Sequence, residues 1–177
     1  MDNTPLRIAV IVGSAREGRF GPTVAAWVAA EIGPRPDLEA EIVDAADFGS
    51  ETVTKQLGLA DAFVVVTPEY NHSYPAPLKA LIDAHNAEWR AKAVAFVSYG
   101  GLSGGLRAVE HLRPVLAELH ATTVRDTVSF HGGRRCFDVD GRPLDPESSA
   151  AAGRMLEGLV WWAHALRDAR AKSPYPS

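Results

Sequence analysis

Three stretches of this sequence concentrate residues suited to holding a ligand. The first, GSAREGRFGPT at positions 13–23, directly follows the apolar run RIAVIV. Arg16 and Arg19 offer guanidinium forks that match phosphate oxygens in pairs. Ser14 adds a hydroxyl. Gly13, Gly18 and Gly21 let the backbone wrap closely around a small group. A strand that feeds a helix leaves unpaired N–H groups at the helix start, and these favour an anion. The spacing from Gly13 to Gly18 matches the first part of a nucleoside-triphosphate loop, but Arg19 and Phe20 stand where that pattern requires Lys and Ser or Thr. The G-x-G-x-x-G dinucleotide spacing is absent as well. A site for one phosphate monoester fits this loop; a glycine-rich turn with solvated arginines fits it equally well when the loop is taken alone.

The second stretch, TPEYNHSYPAP at 67–77, is stiffened by Pro68, Pro75 and Pro77. A stiff loop suits a flat ligand held in one pose. Backbone amides from Glu69 to Asn71 can face ring nitrogens and carbonyls, and Tyr70 or Tyr74 can cover an aromatic face. Either tyrosine can equally be a packing residue, and Glu69 has no visible partner that would make it a general acid. The third stretch, SYGGLSGG at 98–105, carries four glycines and two serines. So little side chain suggests that another molecule approaches the backbone. A helix start after it would supply N–H groups near a carbonyl oxygen that gains negative charge.

Other chemistries find little support. The six histidines show no metal-binding spacing, and no G-x-S-x-G nucleophile elbow occurs. Cys136 sits beside Arg134 and Arg135, which favour a thiolate, but an isolated thiol is usually inert. Trp161 and Trp162 read as core or subunit-contact residues. The chain has 177 residues, 46% of them apolar, and a net charge of −4. That size suits one domain with a full core, and the charge weighs against nucleic acid as a partner. One cysteine excludes an internal disulfide and agrees with a reducing compartment. Without a targeting signal or an apolar run long enough for a membrane helix, the expected location is cytoplasmic, with no membrane contact.

The elements that must position these stretches alternate along the chain. Strands are expected at 7–13, 38–44, 61–68, 91–100 and 121–130, the fully apolar ones reading as buried on both faces. Helices are expected after Pro22 to about 32, at 77–86, at 104–119 and at 147–169. Only a brief connection is expected over 51–60. Pro114 should kink the third of these helices or delay its start. Residues 171–177 read as a loose tail of a single domain spanning 1–177. Five strands alternating with helices predict an α/β fold, a three-layer α/β/α sandwich around a parallel sheet. In such sheets ligands bind beyond the carboxyl ends of the strands, where strand order reverses. All three stretches fall at strand ends of that kind.

Taken together, VGSAREGRFGPTVAAW (12–27), ADAFVVVTPEYNHSYPAPLKALID (60–83) and VAFVSYGGLSGGLRAVEHLR (94–113) resemble the NAD(P)H-dependent FMN reductase family. That family includes flavodoxin-like quinone, chromate and azo-dye reductases. The resemblance implies a flavodoxin-like sheet of order 2-1-3-4-5 with FMN across its top. It assigns the FMN phosphate to Ser14, Arg16 and the turn of Arg19, Phe20, Gly21 and Pro22. Pro68, Glu69, Tyr70 and Asn71 would line the ribityl chain and ring. Ser98, Tyr99, Gly100 and Gly101 would approach the pyrimidine edge, with amides of that loop favouring charge there. It also implies NADPH or NADH as co-substrate and a ping-pong transfer to a quinone-like or other small acceptor. The flavin carries the chemistry, so no protein residue is named catalytic and no metal is expected. A homodimer or homotetramer is implied too. The stretch between Asp44 and Asp61 is shorter than the Pro- and Leu-rich segment usual in the family, which often walls the substrate site or a subunit contact. Alternative readings are a flavodoxin-like electron carrier, an FMN-binding module without turnover, and a nucleotide-binding domain without flavin.

Overall fold

The computed structural model describes residues 4–176. Five strands form one parallel sheet: β1 (Leu6–Val12), β2 (Leu38–Asp44), β3 (Ala62–Pro68), β4 (Ala93–Gly100) and β5 (Thr122–His131), in the order β2-β1-β3-β4-β5. The helices are α1 (Gly21–Ile32), α2 (Glu51–Leu59), α3 (Ala76–Ala84), α4 (Leu106–Glu118) and α5 (Glu147–Lys172). β3 and β4 are apolar along nearly their whole length because both of their faces are covered. On one face Val10, Val12, Val64, Val66 and Val97 meet Val24 and Val28 of α1 and Met155 and Leu159 of α5. On the other, Ile11, Val65 and Phe96 meet Leu57 of α2, Leu81 of α3 and Leu112 of α4. This is the expected three-layer sandwich.

Strand register sets where the three stretches arrive. Val12 pairs with both Asp44 and Val66, Pro68 with Tyr99, and Gly100 with His131. The carboxyl ends of all five strands therefore lie along one margin of the sheet. Strand order reverses between β1 and β3, which opens the crevice of a doubly wound sheet between the loops that follow them.

Several details differ from the sequence-based expectation. Residues 51–59 form a helix, not a brief connection. Ser50 caps it, accepting from the Val53 N–H at 3.2 Å, and Val53 and Leu57, four residues apart, bury its inner side. Leu59, its other large apolar residue, is exposed, so the periodic signal rests on two positions. At the C-terminus, α5 continues to Lys172, and the Tyr175 hydroxyl lies 3.1 Å from His120 Nδ1; residues 171–172 are thus helical and Tyr175 is anchored. Ser177 lies outside the described residues. Trp161 and Trp162 are exposed, which removes the core alternative and leaves the subunit-contact one. Pro114 sits inside α4, which begins at Leu106, two residues later than expected. Among the described residues no helix is long and apolar enough to cross a membrane.

Candidate functional site

The loop from Gly13 to Phe20 leaves the end of β1 with a backbone that few partners satisfy. Gly13 N–H donates to the Val66 carbonyl at 2.8 Å and Arg19 N–H to the Arg16 carbonyl at 3.1 Å. Among the described residues, the N–H groups of Ala15, Arg16, Glu17 and Gly18 take no hydrogen-bond acceptor. The start of α1 follows with no side-chain cap. This is a run of free donors at a helix N-terminus, the arrangement that draws an anion.

The two arginines of this loop have different fates. Arg19 forms a paired hydrogen bond to the Asp44 carboxylate at the end of β2, one arm at 2.8 Å, and also donates to the Ser14 carbonyl. Hydrogen bonding to Asp44 holds the Arg19 guanidinium above its ordinary pKa. Its charge and its donors are committed within the protein. Arg16 instead lies flat on the Tyr70 ring, 3.6 Å from the centroid. Stacking uses the face of a guanidinium and leaves its five in-plane N–H donors open. Among the described residues Arg16 has no hydrogen bond or ion pair. The stack also joins the first loop to the second across the reversal point.

Ser14 is fully buried, its hydroxyl 3.4 Å from that of Tyr99. Burial pushes the Tyr99 phenol up to about 12, so it remains a neutral donor. Phe20 packs edge-on against Tyr99 and Phe137. Gly21 fits beneath this group: a Cβ there would lie 2.7 Å from Ser14 Oγ and 3.1 Å from the Tyr99 hydroxyl. Pro22 begins the helix without needing its missing N–H. Ser14, Phe20, Gly21, Pro22 and Tyr99 thus build the floor under the free amides.

In the second loop, Pro68 ends β3 and is buried. Tyr70 and Ser73 close a tight turn by exchanging backbone hydrogen bonds at 2.8 and 3.0 Å, with Asn71 and His72 in left-handed conformations at φ 51° and 66°. Asn is among the residues that tolerate this region most readily. The Glu69 side chain turns away from the loop's open side. Its carboxylate accepts from Ser103 Oγ at 2.6 Å, from the Arg107 backbone N–H at 3.2 Å and from Arg107 Nε at 2.5 Å. Burial alone would raise this carboxyl; Ser103 and Arg107 outweigh it and hold it below the usual range. Glu69 therefore caps α4 and ties the second loop to the third. The α4 start is not a free set of donors, contrary to the sequence expectation.

The third loop is packed mainly on itself. The Ser98 hydroxyl donates to the Gly104 carbonyl at 2.8 Å. Gly105 has φ +86°, and a Cβ there would come within 2.7 Å of Ser98 Cβ; one on Gly100 would come within 3.1 Å of the Gly105 nitrogen. Only Gly101 has open space where a side chain would be, as Gly18 does in the first loop. Ser98 is fully buried between β3 and β5 and Tyr99 nearly so, whereas Gly101 lines the hollow beside this loop.

Three residues join the site from outside the sequence-based set. Ser103 and Arg107 anchor Glu69. Arg134, from the turn after β5, donates to the Gly18 carbonyl and lies over the Phe20 ring, 5.1 Å from its centroid. The GGRR motif marked that turn as basic, but only the fold brings it over a loop more than a hundred positions earlier. Beside it, a hollow of about 490 Å³ is lined by Gly101, Leu102, His131, Gly132, Arg135 and Cys136. The Cys136 thiol donates to the His131 carbonyl at 3.0 Å. A larger hollow, about 730 Å³, lies along the β2 edge and shares only Asp44 with this region. Its lining carries no lysine or arginine to balance a phosphate, so the chemistry points to the loops instead.

The donors fit a flat molecule with one phosphate: free amides and an open arginine at one end, Tyr70 beside them, and two uncovered glycines along the crevice. The comparisons agree. A family model described as NADPH-dependent FMN reductase matches residues 6–134. A probable NADPH:quinone oxidoreductase of Oryza sativa subsp. japonica is 30% identical over 192 aligned positions, covering 96% of this chain and 95% of that protein. A quinone reductase of Escherichia coli K12 is 32% identical, covering 81% and 83%. An NAD(P)H-dependent FMN reductase of Schizosaccharomyces pombe is 38% identical over 121 positions, 56% of this chain and 60% of that protein, so that match spans less than two thirds of its length. Among solved structures, FerB, a flavoenzyme NAD(P)H:(acceptor) oxidoreductase from Paracoccus denitrificans, superposes with a TM-score of 0.74 at 19% identity, covering 90% of this chain and 98% of that one; it shows the shared fold. The fold is flavodoxin-like. The chain belongs to the NADPH-dependent FMN reductase family. Membership makes it an oxidoreductase of a family that works with FMN and reduced nicotinamide.

Proposed function

We propose that the chain is a reductase that holds FMN in the crevice between the first and second loops and passes electrons from NAD(P)H to a quinone-like or other small acceptor by a ping-pong route. The observation that carries this is the run of unpartnered amides from Ala15 to Gly18 beside an arginine with open donors, at the reversal point of the sheet. FMN, when bound, supplies the hydride chemistry. The protein's part is binding and orientation. The Ala15–Gly18 amides and the Arg16 edge hold the phosphate. Arg19 contributes through its place in the turn, its guanidinium being engaged by Asp44. Tyr70, Asn71 and the backbone after Pro68 border the ring, with Glu69 fixing that loop from behind. Backbone N–H groups near Gly100 and Gly101 favour negative charge at the pyrimidine edge. None of these residues is positioned as an acid or base in the transfer. Exclusion of bulk water falls to the loops and whatever covers them.

The test is the visible spectrum of purified protein reconstituted with FMN, before and after anaerobic addition of NADPH or NADH. Bleaching followed by reoxidation with a quinone, and parallel reciprocal plots in steady state, are the expected results. Bound flavin that neither nicotinamide bleaches would point to an electron carrier or a module without turnover. A chain that declines micromolar FMN overturns the assignment.

A further inference from the structure

The turn after β5 carries two neighbouring arginines with different fates. The Gly132 N–H donates to the Gly100 and Gly101 carbonyls, each at 2.9 Å, which clamps the turn to the third loop. Gly132 and Gly133 are left-handed, at φ 114° and 59°, and reverse the chain there. Arg134 then reaches the first loop and is engaged by the Gly18 carbonyl and the Phe20 ring. Arg135 lies instead on the wall of the hollow of about 490 Å³ beside Gly101. Among the described residues its guanidinium has no hydrogen bond and no ion pair.

The chemistry of this hollow sets it apart. Its wall holds no carboxylate. The hollows along the β2 edge carry Asp44 and Asp47 or Glu39 and Glu41, and the one beside α5 carries Glu157. In a chain with a net charge of −4, an acid-free wall with an open arginine is a local exception that favours an anion. The other polar groups of the wall are engaged. The His131 ring nitrogens lie 3.1 Å from the Leu102 carbonyl and 3.2 Å from the Ser129 hydroxyl, and the Cys136 thiol donates to the His131 carbonyl. Leu102, 98% exposed, adds an apolar surface at the rim. What remains free is one guanidinium fork beside that surface, in a volume within the usual small-molecule range of about 300–1,000 Å³. This suits a nucleoside with one phosphate monoester: the fork pairs with the phosphate oxygens and the base lies on the leucine.

We propose that this hollow receives the adenosine end of the nicotinamide cofactor and that Arg135 reads its 2′-phosphate, so that the chain selects NADPH over NADH. The proposal rests on the reductase reading, because a nicotinamide step is what brings a second nucleotide to the site. Gly101 belongs both to the third loop and to the wall of the hollow, which sets the hollow beside the crevice assigned to FMN. NADPH and NADH differ only in that one phosphate, so a single open fork suffices to tell them apart. The other arginines around the crevice have different duties: Arg16 is assigned to the FMN phosphate, Arg19 is engaged by Asp44, Arg107 by Glu69 and Arg134 by Gly18.

Calorimetric titration of the full chain with adenosine 2′,5′-bisphosphate and with adenosine 5′-monophosphate tests the hollow without any redox step. The bisphosphate should bind about tenfold more tightly, the increment of one charge-assisted contact at an exposed site. Arg135→Ala should abolish that advantage. Arg135→Lys should keep part of it, since it retains the charge and loses the fork. FMN affinity should be the same in all three proteins, which separates a local loss from a misfolded chain. In turnover, Arg135→Ala should lower the NADPH-to-NADH ratio of kcat/KM by about tenfold, through KM. Equal binding of the two nucleotides by the wild type, or an advantage that survives Arg135→Ala, overturns the proposal while flavin reduction by nicotinamide stands. Inorganic phosphate that displaces the bisphosphate at equal concentration overturns it too, because the hollow would then be a general anion site. Bound flavin that neither nicotinamide bleaches removes the reductase reading, and this assignment with it, whatever the nucleotides do at the hollow.

Discussion

The first and third loops look alike in sequence and do different work. Both are glycine-rich and both follow buried strands. In the first, four consecutive amides and the edge of Arg16 have no hydrogen-bond partner among the described residues, and Gly18 faces open space. In the third, Gly105 is demanded by the protein's own packing, the Ser98 hydroxyl is used internally, and the following helix is capped by Glu69. Glycine in a loop therefore has two physical causes: close approach of a ligand, and close approach of the chain to itself. Which one applies depends on what occupies the space where a Cβ would go.

The strongest way to break this contrast is substitution at those glycines. Gly105→Ala combines a left-handed backbone with a severe contact against Ser98 and should destabilise the fold by about 3 kcal/mol or more. Gly18→Ala meets no neighbouring atom and should cost only about 1 kcal/mol, the price of its left-handed backbone. Denaturant unfolding of the apo chain measures both, and equal losses would erase the distinction.

A second experiment separates the arginines. Arg16→Ala removes a charge-assisted contact of the class worth about 1.5–3 kcal/mol, so FMN should bind about tenfold or more weakly, by fluorescence titration. An unchanged dissociation constant would mean that the first loop does not hold the phosphate. Asp44→Asn sharpens the point through the sign of its effect. Were Arg19 a direct phosphate ligand restrained by Asp44, freeing it would tighten FMN. Because the pair instead fixes the Ser14 carbonyl and the turn, binding should weaken by about threefold, on the order of 0.6 kcal/mol.

Glu69 supplies a modest effect with a pH signature. Its carboxyl sits below the ordinary range in the folded protein. The unfolded chain therefore takes up the proton first as pH falls. The stabilisation is complete above the unfolded value, about 4.3, and disappears as pH drops through the lower folded one. Glu69→Gln should cost about 1 kcal/mol at neutral pH, the partner arginine being half exposed. Its stability should converge on wild type in acid. A difference that stays constant down to pH 3, well below the ordinary carboxylate range of about 4, would show that the Glu69 charge does not tie the loops together.

Much of the architecture was legible in the residues. The apolar runs of β1, β3 and β4 announce strands buried on both faces, and their alternation with helices implies a parallel sheet. α2 was missed because its inner side rests on Val53 and Leu57 alone. Between the core and subunit-contact readings of Trp161 and Trp162, only the fold removes the first, because indole hydrophobicity cannot say which side of a helix faces the core; the positions of Met155 and Leu159 decide that. For the site, residue types and spacing singled out the three strand-end loops and suggested a phosphate, and the family resemblance supplied the flavin.

The sequence alone determined the alternating pattern, the three strand-end loops and their basic and glycine-rich character, since these follow from local periodicity and composition. Only the tertiary structure decided which donors stay free. Arg19 is neutralised by an aspartate 25 positions away, Glu69 by groups 34 and 38 positions on, and Arg134 reaches back to Gly18. A charged side chain is available to a ligand only when no closer counter-charge satisfies it, and such proximity is a property of the folded chain.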